Sequence, residues 1–139
     1  MGVKSTDSDS TYYGIFDTTA PGGTDAPLAW IPPPPPFSAT GGTTYEPGNG
    51  YKYHVFTSSG SFVANTSKDI EVLIVAGGGS AAPGYNGGGG GGGVIHHAQF
   101  AVTGQTYSVT VGSGGSPPNQ NGNNSSFGGM SAIGGGGAG

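Results

Sequence analysis

Seven consecutive glycines, Gly87 to Gly93, separate two stretches rich in β-branched residues. Glycine loses more conformational freedom on ordering than any other residue. A run of this length therefore stays mobile unless it is held against other backbone. It does not form a helix interior, where each glycine costs about 1 kcal/mol relative to alanine. A second feature sharpens the first: no Asp, Glu, Lys or Arg follows Glu71. The C-terminal half must do its polar chemistry with peptide groups, hydroxyls, amides and two histidines, which is the profile of a structural or adhesive surface rather than of a catalyst.

The wider composition narrows the classes further. Glycine supplies 32 of 139 residues and apolar residues 32%, so one small β core is the expectation. Three lysines, no arginine and a formal charge of −4 cannot build the basic patch that nucleic acid requires. The absence of cysteine excludes a disulfide framework and a thiolate zinc site. No secretory apolar region follows Met1, and the longest apolar run, Val72 to Ala76, is too short to span a bilayer. Met1-Gly2-Val3-Lys4-Ser5-Thr6 fits the template for N-myristoylation.

Residues 1–48 read as an extended N-terminal arm. Five prolines, Pro32 to Pro36, make a stiff polyproline rod of roughly 3.1 Å per residue. Aromatic and aliphatic residues lie before and beside it: Tyr12, Tyr13, Ile15, Phe16, Trp30, Ile31 and Phe37. A plain linker is usually poor in such residues, so these positions, with Pro34, are the candidate docking residues of an anchoring arm.

Residues 49–139 read as an all-β, glycine-rich domain. Tyr51, Tyr53 and Val55 alternate with Lys52, His54 and Phe56, and a turn precedes Ser61-Phe62-Val63. Ile70 to Ala76 predicts a central strand buried on both faces. Val94 to Val102 predicts another strand, and Thr106 to Val111 has clean period-two alternation. Glycine-rich stretches at 77–93, 112–129 and 134–139 leave and rejoin this scaffold. They are either loose hairpin loops or three-fold extended strands packed side by side, with N–H and C=O groups paired between neighbours. Their recurrence along one scaffold favours the packed bundle.

The ordered series Tyr53-His54-Val55-Phe56-Thr57-Ser58-Ser59-Gly60-Ser61-Phe62-Val63, Ile70 to Gly79, Gly104 to Gly112 and Asn124-Ser125-Ser126-Phe127-Gly128 resembles the glycine-rich domain of bacteriophage tail-fibre and virion proteins. The resemblance covers residues 50–139. It implies a small antiparallel β-sandwich with glycine-rich, polyglycine-II loops, whose ends carry receptor contacts, and a role in virion architecture or host attachment. It also implies a chain that continues past Gly139.

Catalytic and metal constellations are weak. His96 and His97 are adjacent, so on a strand they point to opposite faces and cannot chelate one ion. His54 has no acidic partner in the pattern. Asp7-Ser8-Asp9 lacks the remaining ligands of a calcium loop. The glycine runs satisfy nucleotide-loop patterns trivially, without the Lys or the helix those loops need. No cofactor is implied. The candidate receptor residues are uncharged: Tyr85 and Asn86 in the first glycine stretch, and Asn119, Gln120 and Asn121 in the second. Aromatic faces and amides suit sugars, which makes a host-surface glycan the natural ligand.

Together these features predict a non-enzymatic phage structural protein of a tail fibre or host-attachment appendage, exposed on the virion surface and bound to other virion proteins through its arm. Nucleic acid and membrane are not among the expected partners. Uncharged sheet edges favour a homo-oligomer, and a trimer would suit a fibre. The nearest alternative is a capsid decoration protein. An ice-binding protein would want regular tripeptide spacing, and an extracellular-matrix glycine-rich protein a secretory signal.

Overall fold

The computed structural model describes residues 32–84 and 87–139 in full, together with the backbone of two short strands near the N-terminus. Those two, β1 (Thr6–Asp7) and β2 (Ser10–Thr11), pair antiparallel with Thr6 opposite Thr11. They belong to a unit of residues 1–36 that is separate from the unit of residues 37–139. Pro32 to Pro36 are exposed and carry no strand.

The larger unit starts earlier than residue 49. Phe37 is half-buried and packs against the core. Ser38 N–H donates to Asn65 Oδ1 at 2.8 Å, and Asn65 N–H donates back to the Ser38 carbonyl at 3.1 Å. Two short strands follow, β3 (Ala39–Thr40) and β4 (Thr43–Tyr45). Between them Gly41 and Gly42 have φ of 115° and 63°, and an added Cβ at either would collide with the backbone of Ser61 or Val55. These strands are short, threonine-rich and broken by glycine, so no period-two pattern marks them in the sequence.

Every paired strand is antiparallel, and no helix occurs among the described residues. β4 pairs with β5 (Tyr53–Val55) in a hairpin. A five-stranded sheet runs in the order β11 (Met130–Ala132), β10 (Ser125–Phe127), β9 (Thr106–Thr110), β6 (Gly60–Ala64), β3. A long hairpin of β7 (Lys68–Val75) and β8 (Val94–Val102) packs on its β10–β11 end. The core lies between these layers: Phe62 and Ala64, Ile74 and Ala76, Val102, Val109, Phe127 and Ala132. Phe127 is its hub, with ring centroids 5.5 Å from Phe100, 5.5 Å from Tyr107 and 5.8 Å from Phe62. The β10–β11 turn is Gly128-Gly129, with φ of 56° and 85° as a two-residue hairpin turn needs.

The β8 strand is not uniform. Ile70 pairs with Phe100 but Val72 with His97, so β8 carries one extra residue between them. That bulge reverses the parity of the strand. Ile95 faces inward before it, Phe100 and Val102 after it.

One expectation is overturned. The run from Ile70 to Ala76 is not a central strand buried on both faces. It sits in a two-stranded sheet, and only its even-numbered residues reach the core; Leu73 on the other face is 66% exposed. A continuous apolar run cannot reveal that one of its faces is open in a single chain. Ser125 to Phe127, read within the glycine-rich stretch 112–129, instead forms β10, which with β11 completes the core sheet.

The glycine-rich segments form a bundle. Residues 76–80 run through its centre, surrounded by residues 87–93, 112–115, 120–124 and 133–138. Ala76 and Gly79 donate to Gly93 and Gly90, while Gly77 and Ser80 donate to Asn123 and Gln120. Gly135 and Ala138 donate to Gly77 and Ser80, and Gly90 and Gly93 donate to Gly136 and Ile133. Each direction recurs at every third residue, the period of a three-fold extended helix. None of these glycines has a left-handed φ. Glycine is needed here because neighbours approach too closely: a Cβ on Gly134 would fall on the Gly122 carbonyl, one on Gly122 on the Gly77 carbonyl, and one on Gly77 on the Ser113 carbonyl. Gly136, by contrast, has nothing near its Cβ position.

This asymmetry predicts opposite outcomes for two alanine substitutions. Gly122→Ala should destabilise by about 1–3 kcal/mol or more through overpacking. Gly136→Ala should be neutral, or stabilising by about 0.4–1 kcal/mol through the unfolded chain. Urea denaturation of the two variants checks both.

Candidate functional site

The direction of each bundle segment decides what lies at its far end. Residues 76–80 leave β7, and residues 112–115 leave β9, both running away from the sheets. Residues 87–93 and 120–124 run back toward them, since Gly79 pairs with Gly90 and Ala76 with Gly93, and Ser80 with Gln120 and Gly77 with Asn123. Residues 133–138 run outward again, in register with 77–80. The 116–119 connection, the flanks of the 81–87 connection and residues 138–139 therefore share the distal end.

Ser80 organises that end. It is buried, and its Oγ accepts the Gln120 N–H at 2.8 Å and lies 3.1 Å from the Ser116 carbonyl, to which it donates. The Ser80 N–H donates to the Gln120 carbonyl at 2.9 Å. One side chain thus holds both ends of the Ser116–Gln120 turn against the central segment. Within that turn Asn119 is exposed and takes a φ of 60°, a left-handed conformation that asparagine tolerates.

The side-chain amides of 121–124 are occupied within the protein. Asn121 Oδ1 accepts the Gly137 N–H at 2.8 Å, and Asn124 Oδ1 accepts the Gly134 N–H at 2.9 Å. Asn123 Nδ2 donates to Ser113 Oγ at 2.8 Å. The three-residue spacing of Asn121 and Asn124 matches that of Gly137 and Gly134 on the antiparallel neighbour. These amides extend the bundle's hydrogen bonding where a peptide group does not reach. Buried Ser125 does the same at its base, where its Oγ accepts the Gly112 N–H at 2.9 Å.

Of the sequence-derived candidates, the structure brings Asn119, Gln120 and Asn121 together at the distal end. Asn119 is exposed there, the backbone of Gln120 is bound to Ser80, and the Asn121 amide oxygen is bound to Gly137. Tyr85 and Asn86 lie outside the described residues, as do Tyr12, Tyr13, Ile15, Phe16, Trp30 and Ile31. Pro34 is exposed. Phe37 belongs to the β domain: it packs on that domain's own core. Ser80 was not among the candidates; a serine that ends a Gly-Gly-Gly run carries no signal of the contact it makes forty residues away.

The histidines do not converge. His54 donates from Nδ1 to the Gly41 carbonyl at 2.8 Å and stands edge-on to Phe62. His96 and His97 are on opposite faces of β8 and are both exposed. His96 pairs with Glu71 at 2.7 Å, a partner two residues along the same face of β7 that the sequence pattern did not expose. His97 stands edge-on to Phe100. Among the described residues no three His, Cys, Asp or Glu side chains group as metal ligands. The phenol of Tyr107 is held below the usual tyrosine range, first by its hydrogen bond with the Thr103 hydroxyl and then by the Thr103 amide.

A family model described as a glycine-rich domain matches residues 57–139, more than half of the chain. The chain belongs to the glycine-rich domain family. That description concerns the domain itself and carries no tail-fibre or virion assignment. No curated protein matches the chain, and no solved structure does. The match covers β6 through β11 and the whole bundle, so the close-packed glycine segments lie inside the shared region, and the β4–β5 hairpin lies outside it.

Removing the Ser80 hydroxyl tests its place at the distal end. Ser80→Ala removes the acceptor of the part-buried Gln120 N–H bond and should cost about 0.5–1.5 kcal/mol. Amide exchange at Gln120 should accelerate while β6–β9 amides are unchanged, as followed by NMR.

Proposed function

We propose that this chain is a non-enzymatic structural component of a phage particle, part of a tail fibre or host-attachment appendage. In this reading the β layers are a base, the glycine bundle is a stiff uncharged projection, and the distal turns face outward. The N-terminal unit anchors the base to other virion proteins. The observation that carries the reading is the bundle itself. A segment of this length, held by main-chain bonds in three directions, gives a rigid display platform without a large apolar core. It leaves its connections, Asn119 among them, at one end. The phage assignment is supported by the ordered motif series from Tyr53 to Gly128, and the attachment role by the collection of uncharged polar turns at that end.

Immunogold electron microscopy of virus particles from the source, with an antibody against residues 37–139, tests the proposal. Label at the tail or its appendages is the expected result. Label spread over the shell would replace it with a capsid decoration role. Particles without label would overturn the virion assignment altogether.

A further inference from the structure

The β4–β5 hairpin has two unlike faces. On one face His54 turns inward, fixed by the Gly41 carbonyl and its edge-on ring contact with Phe62, with Thr44 as its cross-strand partner. The outer face carries Tyr45 opposite Tyr53 and Thr43 opposite Val55. Tyr51 joins them, its ring centroid 6.2 Å from that of Tyr53. All three tyrosines are open to solvent, at 63%, 62% and 43% exposed for Tyr45, Tyr51 and Tyr53. In a chain so short of apolar residues, three unburied aromatic rings on one face contribute nothing visible to the core.

The connecting loop is ordered around them. Asn49 Nδ2 donates to the Tyr53 hydroxyl at 3.1 Å, and Asn49 Oδ1 accepts the Tyr51 N–H at 3.1 Å. Gly48 and Gly50 take φ of 83° and 85° beside it. Lys52 closes the loop through an ion pair with Glu46 at 2.9 Å. The Tyr53 ring is therefore held at its hydroxyl, and the chain beside it at the Tyr51 N–H, before any ligand arrives, which lowers the entropic cost of binding.

The same face continues into a shallow depression of about 250 Å³. Thr43 and Val55 form one side, and Phe56 with Thr57 to Ser61 the rest. Its polar groups are the exposed hydroxyls of Thr43, Thr57, Ser58 and Ser61. Ser59 Oγ is engaged with the Val111 N–H. This places the depression beside the base of the bundle, away from the distal turns.

We propose that this hairpin face is a binding site for a neutral oligosaccharide. Tyrosine rings stack on the apolar C–H face of a pyranose, and hydroxyl and amide groups exchange hydrogen bonds with its hydroxyls. The outer face supplies the rings, and the adjoining depression supplies the hydroxyls in a continuous surface. Among the described residues no unpaired charge lies on it: Glu46 is paired with Lys52, and the chain's net charge of −4 disfavours an acidic glycan. The exposed strip of Leu73, Val75 and Val94 on the β7–β8 hairpin is by contrast purely aliphatic and offers no ring to stack on a sugar. The saccharide site does not rest on the virion assignment.

The test is an NMR titration of the full ¹⁵N-labelled chain with maltohexaose, cellohexaose and chitohexaose as neutral probes and oligogalacturonate as an acidic one. At least one neutral hexasaccharide should give saturable shifts confined to residues 43–61, and oligogalacturonate none. Tyr53→Ala should weaken that binding about tenfold, while Tyr53→Phe keeps most of it, and Tyr45→Ala gives an independent loss at an exposed ring. Unchanged β9–β11 resonances would show that each variant is folded. Absence of saturable shifts with all three neutral probes overturns the proposal. Shifts at Tyr45 and Tyr53 on concentrating the protein alone also overturn it, and assign the face to a second copy of the chain.

Discussion

The structure depends on the close approach of a glycine Cα to a carbonyl oxygen on the neighbouring segment. Gly134 meets Gly122 in this way, Gly122 meets Gly77, and Gly77 meets Ser113. A side chain at any of these points would hold the segments apart and break the N–H to C=O bonds between them. The Cα–H to carbonyl contacts left in its place are weak, about 0.5–1 kcal/mol each. Their larger effect is geometric. They let residues 76–80 bond to neighbours in several directions, where a β-strand could bond in only two.

Such a bundle is not stable by its hydrogen bonds alone. Each contributes about 0.5–1.5 kcal/mol net, while fixing one backbone residue costs about 1–2 kcal/mol. The difference is met where the segments enter the β layers. Residues 76–80 continue β7, whose Ile74 is buried; residues 112–115 continue β9, whose Val109 is buried; residues 120–124 lead into β10 and Phe127. The aromatic cluster about Phe127 fixes the ends of the segments, and fixed ends reduce the entropy the glycines still have to lose. The core is small, yet it sits where every segment of the bundle begins or ends.

Much of this was legible in the sequence. The glycine density excluded helix, and period-two alternation marked Tyr53–Val55 and Thr106–Thr110. Three glycine stretches leaving one scaffold pointed to a packed bundle rather than to loose loops. What could not be read depends on distance in space. Nothing in Ala39 to Tyr45 announces two strands, because threonine and glycine are equally at home in a turn. The run Ile70 to Ala76 looks buried throughout because hydrophobicity does not say whether a second sheet covers it. The bulge in β8 shows only as a change of parity between Ile95 and Phe100. At the distal end, Asn119 to Asn121 stood out as polar residues among glycines, but the sequence could not separate an exposed Asn119 from an Asn121 whose amide oxygen serves Gly137. Ser80 and its turn were invisible for the same reason.

The functional reading follows from a division of labour. Charge is confined to the residues up to Glu71, and the bundle presents peptide groups, hydroxyls and amides. Hydrogen exchange at individual glycine amides, measured by NMR, tests the bundle most directly. The account predicts slow exchange at Gly77, Gly79, Gly90, Gly93 and Gly135, whose N–H groups are bonded between segments, and fast exchange at Gly88 and Gly91. Uniformly fast exchange through residues 76–93 would mean that the glycine segments are loose loops, and would contradict it.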